Sequence, residues 1–158
     1  MAGSIFDWST TPATNATADA AINFAEGQPP GGVNDSARQL MARVAEFRSD
    51  LGSVNAAGAV VQTGGAADAY TLTTQSAFTA FKAGLELSCN IHAANTTVST
   101  LNVNATGVKP IVNKHGLPLT GGQLLVGTRL ALRSDAANWI AINIDTAAAA
   151  TVNPFGAI

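Results

Sequence analysis

Two spacings organise this chain. Beyond residue 57 apolar and polar positions alternate, the period-two signature of half-buried strands. Between Val33 and Val54 apolar positions instead recur at intervals of four and three. In "LELSCNIHA", Leu85, Leu87, Cys89, Ile91 and Ala93 share one face, while Glu86, Ser88, Asn90 and His92 take the other. "AYTLT" (69–73) and "STLNVN" (99–104) repeat the alternation, and "KPIVN", "QLLVGTRLALR" and "NWIAINI" supply three further candidates. Turn residues separate them at Gly64–Gly65, Lys82–Gly84, Ala94–Thr96, Ala105–Gly107, His115–Gly116, Gly121–Gly122 and Asp135–Asn138. Short strands at this spacing predict a small antiparallel β-sandwich or barrel over residues 57–145.

The four–three spacing runs through Val33, Ala37, Leu40, Val44, Phe47, Leu51 and Val54, the a/d seam of a coiled coil. Asn34, Asp35 and Ser36 offer capping oxygens at its start and Gly52 a stop. The expected helix spans Asn34 to Leu51, within a stem of residues 33–54. A helix this short either packs on its own domain or associates with copies of itself. The narrow apolar stripe, Met41 and the seam alone, favours self-association through Ala37, Leu40, Val44, Phe47 and Leu51.

Residues 1–32 show neither period. Their apolar clusters, Ile5/Phe6/Trp8 and Ile22/Phe24, flank the run "STTPATNATADAA", which reads as an extended arm. These side chains either fold back onto the core or insert into a neighbouring protein. The arm has no apolar face of its own to cover them, so the expectation is an anchor made of Ile5, Phe6, Trp8, Ile22 and Phe24. The low-complexity stretch 146–158 ends the chain as a tail.

Charged residues are only 11% of the chain and apolar ones 47%, so the sequence is not a disordered charged tail, and much of its surface is expected to meet protein. A net charge of −2 and the lack of a basic run argue against a nucleic-acid partner. No apolar stretch approaches the ~20 residues of a membrane span, and "MAGSIFDWS" does not read as a signal peptide. Cys89, the single cysteine, suits assembly in a reducing cytoplasm.

Candidate chemistry is thin. Glu86, Asp68, Asp135 and Asp145 fall in no pattern that pairs two acids for hydrolysis. Cys89 and His92 lie three apart in a strand and so face opposite ways, while His115 sits in a turn. "TGGQLLVG" lacks the Lys-Ser/Thr or following helix that a phosphate-binding loop requires. The expectation is no enzyme, no metal and no cofactor. Exposed Asn and Thr groups on the β part suit sugar hydroxyls, whereas Trp139 reads as core.

"INFAEGQPPGGVNDSARQLMARVAEFRSDLG" resembles the N-terminal module of bacteriophage tail-fibre and related virion appendage proteins, with Phe24 where a Trp is usual. "FKAGLELSCNIHAANTTVSTLNVNATGVKPIVNKHG" and "LLVGTRLALRSDAANWIAIN" resemble the β-repeat of the same proteins, apart from the Arg133–Asn138 turn. The resemblance implies a homotrimeric fibre or fibre adaptor of the virion, assembled in the host bacterial cytoplasm. Its N-terminal end would attach to tail, neck or portal proteins and its β part would contribute to host attachment, with a surface glycan as candidate receptor. The alternative is a capsid decoration or head-fibre protein with no receptor role.

Overall fold

The computed structural model describes residues 3–145; the predicted tail 146–158 lies outside them. Two 3-10 turns (Ile5–Asp7 and Pro12–Thr17) lead to helix α1 (Pro30–Gly52). Seven strands follow: β1 (Gly64–Ala66), β2 (Ala69–Leu72), β3 (Glu86–Asn90), β4 (Ser99–Val103), β5 (Val108–Asn113), β6 (Arg129–Ser134) and β7 (Trp139–Ala141).

The helix opens earlier than its capping residues predict. Pro29 is extended and Pro30 takes the first turn, where a missing N–H leaves no bond unmade. Ser36, expected as a cap, instead binds the arm: its hydroxyl accepts the Asn23 N–H and donates to the Asn23 carbonyl, both at 3.0 Å. At the far end Ser53 adopts the left-handed conformation, φ 56°, and terminates the helix.

The strands form one mixed sheet in the order β1-β2-β4-β5-β7-β6-β3, curled as a half-barrel. This corrects the expected antiparallel sandwich or barrel: β2 pairs with β4, and β5 with β7, in parallel. The cause is the course of β3. It does not return beside β2 but crosses to the opposite edge and pairs with β6, so the chain re-enters next to β2 running the same way. A parallel bridge between Gln62 and Asn90 then links the segment entering β1 to the outer side of β3. The two edges are thereby joined.

Alternation is obeyed where it was clearest. Leu85, Leu87, Cys89 and Ile91 are buried, and Glu86, Ser88, Asn90 and His92 are not. They meet Tyr70, Leu72, Leu101, Val103, Ile111, Leu130, Leu132 and Trp139 in one core under the curl. Gly64–Gly65, expected as a turn, lies in β1. Gly65 has φ +85°, and a Cβ there would sit 2.5 Å from the Ala69 carbonyl, so the glycine permits the tight β1–β2 pairing. The last two candidate strands are shorter than their patterns: β7 ends at Ala141, and Gly127 at φ +81° keeps Gln123–Gly127 out of β6.

Candidate assembly interface

The helix turns its polar side and the Leu40/Phe47 edge of its apolar seam toward the rest of the chain. Ser36, Arg43 and Asp50, seven residues apart, each hold a different segment. Ser36 binds Asn23 as above, and Arg43 Nε donates to Asp19 at 2.7 Å. The Asp50 carboxylate accepts the N–H groups of Gln75 and Ser76, both at 2.7 Å. Arg43 also faces Glu46 at 3.1 Å. Burial alone would push the Asp19 carboxyl up, but the bonds from Arg43 and from the Ala21 N–H, with the charge of Arg43, hold it below its ordinary value. The Asp19 bond in turn raises Arg43.

The arm is therefore not extended, as its lack of pattern predicted. Local bonds fold it: Ser4 caps the first turn, and Asn15 bonds both the N–H and the carbonyl of Ser9. Lys82 reaches Asp7 at 2.8 Å and ties the arm to the β part. Phe6 lies edge-on between Phe47, at 5.5 Å, and Phe78, at 5.8 Å. Ile22 is buried and Ile5 half-buried. Of the expected anchor, Phe6 and Ile22 are thus engaged within the chain. Trp8 is half-buried and Phe24 is 50% exposed.

The expected seam divides as well. Phe47 and Leu40 are half-buried against the arm side, whereas Ala37, Val44 and Leu51 face outward. Beside these stand Val33 and Met41, the latter 71% exposed and the most exposed of the large apolar side chains described. Met41 falls four residues after Ala37 and three before Val44, so the uncovered positions run Val33, Ala37, Met41, Val44 and Leu51, at intervals of four, four, three and seven. That position was readable in sequence, but Leu40 next to it fitted the seam equally well. Only the docked arm decides between them.

Two depressions flank this stripe. A cleft of about 160 Å³ lies between arm and helix, lined by Trp8, Asn15, Asp19, Ile22, Phe24 and Leu40. A shallow, almost wholly apolar groove covers Leu40, Met41, Val44, Ala45 and Arg48.

Most of the residues able to do chemistry are engaged in separate local contacts. Cys89 is core, and burial pushes its thiol up to about 12, which leaves no thiolate at neutral pH. His92 is held by Thr63 and Gly65, and His115 faces Asp145 at 3.2 Å. Glu86 pairs with Arg133, Asp145 with Lys114, and Asp135 closes its own turn on the N–H groups of Ala137 and Asn138. Among the described residues no three His, Cys, Asp or Glu side chains are grouped to hold a metal ion, and no helix is long and apolar enough to cross a membrane. Trp139 is fully buried, 5.1 Å from the Phe81 ring.

Compared with known families and with curated proteins, the chain matches no family model and no curated sequence.

Proposed function

We propose that this chain is a structural component of a bacteriophage particle, a short tail fibre or fibre adaptor. It assembles as a homotrimer through α1 and attaches to tail, neck or portal proteins through its arm-bearing end. The β part projects outward and contributes to host attachment through its exposed Asn and Thr groups. One observation carries the reading: a 23-residue helix keeps an apolar stripe, from Val33 through Val44 to Leu51, uncovered while its polar side binds its own domain. An isolated exposed Leu or Val needs no explanation, but a stripe in heptad spacing matches a partner helix. The segments quoted above that resemble virion appendage proteins supply the biological setting.

The test is the mass of the purified chain in solution. Equilibrium sedimentation is expected to return three times the chain mass of 15.9 kDa. Val44→Asp is expected to return the single-chain mass with the sheet intact, because the charge would be buried at the seam. A wild-type monomer at high concentration overturns the proposal. Particles assembled without this protein are expected to lack density at the tail or neck and to adsorb poorly to the host.

A further inference from the structure

The cleft and the methionine stand at the same height on either side of the Val44 line. With about 100° between successive residues, Leu40 lies ~40° to one side of Val44 and Met41 ~60° to the other, only ~1.5 Å apart along the axis. Leu40 forms part of the cleft wall, and Met41 lines the adjoining groove beyond it, 71% exposed. In a cyclic assembly of parallel, in-register helices, one flank of each copy meets the opposite flank of the next. We propose that the Met41 side chain of each copy inserts into the Trp8/Ile22/Phe24/Leu40 cleft of its neighbour. This rests on the self-association proposed above.

The occupant is argued from size, chemistry and charge. About 160 Å³ falls below the ~300 Å³ at which small-molecule pockets begin, so the cleft is the size of a side chain rather than a ligand. Its walls offer two aromatic rings, and a thioether sulfur packs favourably against ring edges. An unbranched side chain also adapts to an irregular opening better than the Val residues along the stripe. The one charged wall, Asp19, is already bonded to Arg43 and the Ala21 N–H, so no unpaired charge opposes an apolar guest. The cleft adjoins the groove through Leu40, which makes hole and knob continuous with the seam. Trp8, Ile22 and Phe24 thereby become contacts between copies.

The experiment uses full-length chains carrying Phe24→Cys with one tag and Met41→Cys with another, co-expressed, purified and oxidised. Separate variants on separate chains allow no disulfide within a chain, and buried Cys89 does not compete. The expected result is a disulfide joining the two tags, with neither variant linking to itself. Both positions are largely exposed in the single chain, so the fold should survive, and near-UV circular dichroism under reducing conditions checks it. Met41→Ala in the native sequence is expected to raise the dissociation constant by roughly tenfold or more. If the wild-type chain is a multimer but 24–41 links are absent, or like residues link to each other, the insertion is overturned while self-association stands. If the wild-type chain is a monomer, both fall.

Discussion

Asp19 and Arg43 lie 24 residues apart in sequence and 2.7 Å apart in space, with side chains only 2% and 13% exposed. This pair helps hold the polar side of α1 inward, together with Ser36 on Asn23 and Asp50 on Gln75 and Ser76. Where it holds the arm down, Phe6 meets Phe47 and Ile22 is covered; the apolar stripe is left for something else. Asp19→Ala strands a buried guanidinium that keeps only Glu46. The expected loss is about 3 kcal/mol, at the low end for a broken buried pair because Glu46 still faces it. Urea unfolding measures the loss. Chymotrypsin, which cuts at aromatic residues, is expected to release the arm at Phe6 or Trp8 sooner than in the wild type.

The Phe6 ring gives a separate test of where the arm belongs. Phe6→Ala and Phe47→Ala are each expected to cost about 2 kcal/mol, below the ~3–5 of a fully buried Phe because both rings keep some exposure. The double variant is expected to show coupling of roughly 1 kcal/mol. Measured at a dilution where the chain is a single copy, this coupling reports a contact within the chain. Purely additive effects would mean that Phe6 does not rest on Phe47.

How much of this was legible beforehand follows from the range of each interaction. The β3 and β4 alternation is readable because a strand half-buried on one core writes its faces locally, whereas β5 buries Ile111, Val112 and Asn113 in succession. The parallel pairing of β2 with β4 was not, since nothing within "AYTLT" says that β3 crosses to the far edge. The helix was evident from its spacing, but its start was not: Pro30 needs no side-chain cap, and Ser36 is taken by Asn23, thirteen residues upstream. The arm was misread for the same reason. Its order comes from Asp19–Arg43, Lys82–Asp7 and Phe6–Phe78, contacts invisible to any periodicity. Of the site, the outward-facing Val44 and Leu51 are legible in the spacing, while the partial cover of Leu40 and the exposure of Met41 depend on the docked arm.

Acid should weaken the fold through carboxylates held below their ordinary range. Asp19 is lowered despite its burial by Arg43 and the Ala21 N–H, and Asp68 by the Thr96 hydroxyl and the Thr96 and Thr97 N–H groups. Asp135 is lowered by the Asn138 and Ala137 N–H groups, and Asp145 by Lys114 and His115. The folded values lie below an unfolded value of about 3.9, so their contribution is complete above that pH. It is lost as the pH falls through the folded values. Thermal midpoints are expected to hold from about pH 6 to 5 and to drop below about pH 4. Asp19→Asn should start lower and fall less steeply, and a parallel fall would mean that Asp19 is not among the groups responsible.

Beside the backbone bonds that join the two edges, one ring clasps them. His92 presents Nδ1 to the Thr63 hydroxyl at 2.8 Å and Nε2 to the Gly65 carbonyl at 3.2 Å, and its own N–H is donated to Thr63 Oγ1 at 3.1 Å. These contacts are all satisfied together if the hydroxyl donates to Nδ1 and Nε2 carries the ring proton toward Gly65. The Tyr70 ring packs edge-on against the imidazole at 5.8 Å, and its hydroxyl donates to the Ala93 carbonyl. Thr63→Val keeps the shape but removes both the acceptor for the His92 N–H and the donor to Nδ1, at an expected cost of about 1–2 kcal/mol. Because the Asn90 N–H is donated to Val61 and the Thr63 N–H to Asn90, the loosening should be local. Hydrogen exchange is expected to quicken at residues 63, 90 and 92, with β4 and β5 protected as before. Uniform acceleration across the sheet would mean that the joined edges stabilise the whole barrel and that His92 is more than a clasp.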